Sequence, residues 1–107
     1  MKIAGLWNSH DCSFCVLEDG VPTIHAESFQ EGSKRCVKVG DEFNHEIYSV
    51  GHHQAHAANA FYSSNFAESL IITIDGGGIE LDGQKTCTTI WKGVGTKIEP
   101  LMIIPQD

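Results

Sequence analysis

Between Gly51 and Gly78 the chain changes its period once, and that change fixes most of what it can fold into. Residues 51–62 read Gly-His-His-Gln-Ala-His-Ala-Ala-Asn-Ala-Phe-Tyr. Ala is the strongest helix former, so this run predicts a helix, ended by Ser63-Ser64-Asn65. Leu70 to Ile74 is apolar and largely β-branched, which predicts a central strand. The strand delivers Asp75 into a turn at Gly76-Gly77-Gly78. On the helix, His52 and His56 stand four residues apart, so both imidazoles project from one face.

Two imidazoles and one carboxylate suit a borderline divalent metal such as iron, manganese or zinc. A Gly loop beside such an ion lets phosphate oxygens approach backbone N–H groups, although Gly-rich turns after strands are also common. His53 points about 100° away from His52 around the helix. It reads as a packing residue or a support behind the ligands rather than a third ligand. A lone His on an Ala-rich helix is ordinarily a surface or core residue. The pairing at four-residue spacing, with Asp75 beyond, is what raises the metal reading.

The flanks predict strands. Residues 2–7 are an apolar run, and residues 12–18 form another that ends at Glu18-Asp19-Gly20, a strong tight-turn signal. Residues 21–27 follow, with Pro22 near the start, where a missing N–H is tolerated. These make a three-stranded antiparallel meander. Residues 28–50 are polar and poorly periodic and read as a loop. Residues 85–92 read as a strand, Gly93-Val94-Gly95 as a turn, and 96–104 as a last strand interrupted by Pro100.

At 107 residues the chain has the size of one small domain. A formal charge of −7 argues against a bare nucleic-acid binder. No apolar run approaches membrane-spanning length and the start does not read as a signal peptide, so no membrane partner and a cytoplasmic location are expected. Cys12 and Cys15 form a lone C-x-x-C without the second pair of a zinc ribbon. On a strand they face opposite sides and read as packing residues in a reducing compartment. Cys36 and Cys87 have no motif around them, and His25 and His45 have no constellation.

The pattern His52-His53-x-x-His56-Ala57-x-x-Ala60-Phe61-Tyr62, then an apolar strand closing in Asp75-Gly76-x-Gly78, resembles the carbamoyltransferase family that includes the nodulation and antibiotic O-carbamoyltransferases. The opening Met1-Lys2-Ile3-Ala4-Gly5-Leu6-Trp7, with His10-Asp11-Cys12-Ser13, Val16-Leu17-Glu18-Asp19-Gly20 and Ala26-Glu27, resembles that family's first hairpin. The likeness covers residues 1–28 and 48–105. It implies an α/β, ribonuclease-H-like half-domain of the actin-like ATPase and sugar-kinase class. Its sheet would be mixed, with the strand at 70–75 parallel beside the first strand and buried on both faces.

The resemblance also implies chemistry. His52, His56 and Asp75 would hold the ion. Asp11, Gly76, Gly77 and Gly78 would face the nucleotide, and His10 would be an acid–base or oxyanion-stabilising group. The alternative for Asp11 and Ser13 is an ordinary turn in which they satisfy backbone N–H groups. The substrates would be carbamoyl-adenylate, made from ATP in a second domain, and an alcohol acceptor. Family enzymes are several times longer, so the chain is expected to be a single, partial amino-terminal domain. It would associate with a second half or with itself. The connection at 28–50 looks shortened, and Ser28-Phe29-Gln30-Glu31 lacks the family's Arg.

Three other readings compete. A zinc-protease site needs His-Glu-x-x-His, and position 53 is His. A non-catalytic fragment would bind nucleotide or a partner subunit. The related threonylcarbamoyl-transfer proteins share the His-x-x-x-His pair and the fold, but His10-Asp11-x-Ser13 and Phe61-Tyr62 favour the O-carbamoyl branch.

Overall fold

A computed structural model describes residues 1–7, 12–30, 34–43 and 46–105. His10, Asp11 and His45 lie outside the described residues, as do the side chains at 25–29 and 35. The chain divides into two compact units, Met1–Tyr48 and Ser49–Asp107.

In the first unit, β1 (Lys2–Trp7), β2 (Cys12–Glu18) and β3 (Val21–Phe29) form an antiparallel sheet in the order β1-β2-β3. The expected meander is therefore present. Asp19 and Gly20 turn the chain with φ of 51° and 81°, the left-handed pair that a two-residue hairpin needs. Alternation on β2 buries Cys12, Phe14 and Val16. Helix α1 (Lys34–Glu42) covers that face with Cys36 and Val39, and Phe43 packs beside them.

Helix α1 corrects the expectation of a loop across 28–50. Its sequence mixes five charged residues with a buried pair, Cys36 and Val39, and an exposed Val37, so only packing on the sheet reveals it as a helix. A second correction follows from it. Cys12 is bonded to Cys36 in a disulfide, and only Cys15 and Cys87 are free. The divergence of Cys12 and Cys15 holds, but Cys12 is not a free packing thiol. Without α1 in view, nothing brought Cys36 to it.

The second unit contains α2 (His52–Tyr62), β4 (Glu68–Ile79), β5 (Lys85–Val94) and β6 (Lys97–Pro105). Its sheet is antiparallel, in the order β4-β5-β6. The expected mixed sheet, with residues 70–75 parallel beside β1, is not what forms: β4 lies in a separate sheet. The apolar run misled because it does not say which face is covered. Ile71 and Thr73 are buried, while Leu70, Ile72 and Ile74 are 67%, 61% and 73% exposed. The fold is thus α/β, with two three-stranded antiparallel sheets and two helices among the described residues.

The second core is Ala57 and Phe61 of α2 against Ile71 and Trp91, with Ile98 at its margin. Trp91 Nε1 donates to Thr73 Oγ1 at 3.0 Å, which satisfies the one polar atom of a buried indole. Pro100 sits on edge strand β6, where Ile90 pairs with Met102 but Trp91 pairs with Pro100. The irregularity at Leu101 accommodates the residue that cannot donate to the ladder. No helix among the described residues is long and apolar enough to cross a membrane.

Candidate metal centre

Helix α2 buries His53, Ala57 and Phe61, a stripe at four-residue spacing. Small Ala57 lets the helix lie close to the sheet. His52 and His56 occupy the adjoining stripe at the margin of this interface, with side chains 27% and 57% exposed. Their rings meet edge-on, 4.8 Å between centroids.

Asp75 arrives from β4 where the ladder with β5 is irregular. Ile74 pairs with Thr88 and Gly78 with Thr86, so extra residues on β4 stand opposite one residue of β5. Such a bulge re-aims a side chain. Gly76-Gly77-Gly78 is therefore not the expected turn but a bulged stretch of a strand that runs on to Ile79. Gly77 takes φ of 140°, a conformation L side chains rarely adopt. At Gly78 an added Cβ would collide with the His52 ring, so glycine gives His52 its room.

The two carboxylate oxygens of Asp75 have different neighbours. Oδ2 lies 2.6 Å from His52 Nε2 and 3.4 Å from His56 Nε2. Oδ1 lies 2.9 Å from His53 Nε2 and accepts the Gly77 N–H at 2.8 Å. One ligand atom each from His52, His56 and Asp75 falls within 4.8 Å of the others. Atoms bound about 2.1 Å from one ion stand about 3.0–3.4 Å apart. His56 is at that spacing from Oδ2, and His52 is closer by less than an ångström. The donor types suit a divalent ion, and a separation of up to 4.8 Å within the group would close toward that spacing around one.

Partial burial disfavours the charged form of Asp75. Hydrogen bonds from His53, His52 and the Gly77 amide, with the charge of His53, together outweigh it and hold the carboxyl well below the usual carboxylate range. A carboxyl must be deprotonated to take a metal, and the same contacts keep Asp75 in that form.

The structure thus brings His52, His56, Asp75 and the three glycines together. His10 and Asp11 lie outside the described residues. Sequence reasoning missed three neighbours. Glu80 accepts the His53 backbone N–H at 2.7 Å, at a helix start where Gly51 offers no side-chain cap. Thr86, fully buried, places its hydroxyl 3.4 Å from His53 Nδ1. Lys85 lines a depression of about 270 Å³ with Gly76, Gly77, Gly78 and Ile79. The Asp82-Gly83 turn was the available signal for Lys85 and Thr86, because a hairpin there pairs Lys85 with Ile79 and Thr86 with Gly78. Nothing in the spacing pointed to Glu80.

The chain is similar over part of its length to known proteins. It is 44% identical over 61 residues to nodulation protein NolNO of Sinorhizobium fredii, which is 57% of this chain and 8% of that protein. Nodulation protein NolO of Bradyrhizobium diazoefficiens is 40% identical over 57 residues, 53% of this chain and 10% of that protein. An uncharacterized protein of Synechocystis is 39% identical over 49 residues, 46% of this chain and 7% of that protein. The matched stretches therefore span a tenth or less of these relatives. No protein-family model and no solved structure matches the chain.

Proposed function

We propose that this chain forms part of a carbamoyltransferase site that moves a carbamoyl group from carbamoyl-adenylate to an alcohol. The observation that carries the reading is the convergence of His52, His56 and Asp75 from a helix and a bulged strand, with ligand atoms within 4.8 Å. The likeness to nodulation proteins NolNO and NolO supports it.

In this reading His52, His56 and Asp75 hold one divalent ion, iron in the first instance. Bound there, such an ion would supply charge balance for the adenylate phosphate as a Lewis acid. Gly76, Gly77 and Gly78 add no side-chain bulk along the adjoining depression, which lets a phosphate approach closely. The Gly77 N–H is already given to Asp75, so its amide orients the carboxylate rather than the phosphate. The ammonium of Lys85 supplies positive charge at the same depression. His10 takes the proton as the acceptor oxygen bonds to the carbamoyl carbon and the bond to the adenylate oxygen breaks, releasing AMP. Partners beyond the substrates are the rest of a longer protein or a second copy, for which the bare Leu70, Ile72 and Ile74 face offers an apolar surface.

Metal titration of the purified chain tests the reading. One Fe(II), Mn(II) or Zn(II) should bind per chain, and His56→Ala should weaken binding roughly a hundredfold or more, as loss of a direct ligand exceeds loss of a supporting contact. Equal metal content in the two proteins overturns it. Supplying carbamoyl-adenylate with an alcohol and measuring AMP release then isolates the transfer step.

A further inference from the structure

Asp75 has two chemically equivalent oxygens, and a free carboxylate can present either or both to a cation. Here the two are not equivalent. Oδ1 is engaged by the His53 ring at 2.9 Å and by the Gly77 amide at 2.8 Å. Oδ2 is left beside His52 and His56. We infer that His53 is a positioning residue: it holds Asp75 Oδ1 so that Oδ2 alone is offered to the ion. This rests on the metal reading above.

His53 is equipped for the task because it is itself fixed on every side. It is fully buried on the helix stripe that faces the sheet. Its backbone N–H is held by Glu80 Oε1 at 2.7 Å. Behind the ring, Thr86 Oγ1 lies 3.4 Å from Nδ1 and 3.4 Å from Glu80 Oε1. For Nε2 to donate to the carboxylate it must carry the proton, and the Thr86 hydroxyl that stands against Nδ1 donates to Glu80 Oε1. Glycine at 51 makes the arrangement possible, since a Cβ there would run into the Glu80 carboxylate. A contact behind a ligand that fixes its orientation typically changes metal affinity about 10- to 100-fold.

A purely structural His53 would affect folding but not the ion, so the test reads the ion. Mn(II) binding to the purified chain is measured by calorimetry for wild type, His53→Leu, His53→Gln and His56→Ala. X-ray absorption of the bound Mn(II) reports the carboxylate mode. His53→Leu, which fills the space without a donor, should weaken Mn(II) about 10- to 100-fold. It should also add one oxygen neighbour, as the freed Oδ1 joins Oδ2. His53→Gln, which returns an N–H at similar reach, should recover most of the affinity and the one-oxygen mode.

Wild-type affinity and an unchanged carboxylate mode in His53→Leu would overturn the inference. If His53→Leu fails to fold by circular dichroism, the near-isosteric Thr86→Val decides: several-fold weaker Mn(II) supports the inference, and unchanged affinity overturns it. Wild type that binds no Mn(II) would remove the metal reading and this inference together. Binding lost in His56→Ala but untouched in His53→Leu removes the inference alone.

Discussion

The two units share a plan, three antiparallel strands and one covering helix, yet cover their sheets with different chemistry. In the first, α1 meets β2 through Cys36 and Val39 on Cys12, Phe14 and Val16, closed by a disulfide. Among the described residues its buried side chains are all apolar or bonded sulfur. In the second, α2 starts polar at His53, with buried Thr86 and partly buried Glu80 beside it, and turns apolar at Ala57 and Phe61. Polar groups stabilise an interface less than a packed apolar core and cost most when unpaired. An interface that is apolar at one end and hydrogen-bonded at the other is therefore arranged for something besides cohesion. The second unit gathers its histidines and Asp75 at the polar end and its packed core at the apolar end.

The largest effect is expected from the apolar end. Phe61→Ala should destabilise the second unit by about 3–5 kcal/mol. Amide exchange in β4–β6 should quicken far more than in β1–β3. Equal loss of protection in both sheets would show that the units unfold as one and break the contrast between them.

The first unit answers to its cross-link instead. Cys12 and Cys36 are 24 residues apart in sequence, and removing the bond with Cys36→Ala should cost about 3 kcal/mol there. Mn(II) affinity at the second unit should not move. A shift in that affinity would join two regions that the contrast keeps separate.

The smallest effect concerns the polar end alone. The folded carboxyl of Asp75 is held below its ordinary value, so its contribution to stability is full above the unfolded value of about 3.9 and fades as pH falls from there toward the folded value. The denaturation midpoints of wild type and Asp75→Asn, both metal-free, should differ at pH 5 to 6 and converge below pH 4. A gap that persists undiminished to pH 2.5 would assign the difference to packing rather than to charge.

Local structure was readable where one residue type dominates a short window. The Ala-rich run became α2, the Asp19-Gly20 turn formed, and Val21, Lys85 and Lys97 open strands within a residue of where the pattern put them. What failed needed information from far along the chain. Helix α1 has one thin apolar stripe, and only β2 explains it. The partner of β4 could not be read from an apolar run that leaves Ile72 and Ile74 exposed. At the site, helical spacing named His52 and His56, and the strand end named Asp75. The division of labour between Oδ1 and Oδ2 depends on a β4 bulge that no triplet of glycines announces.

Gly78 was described as room for the His52 ring, and that role widens what a genome reader should look for. A pattern written only in histidines and an aspartate would accept chains whose site is sterically blocked. The useful signature places Gly directly before the first His and a second Gly three residues beyond the Asp. A chain that keeps His52, His56 and Asp75 but carries alanine at 78 should be scored as having lost this arrangement, although all three side chains are still in place.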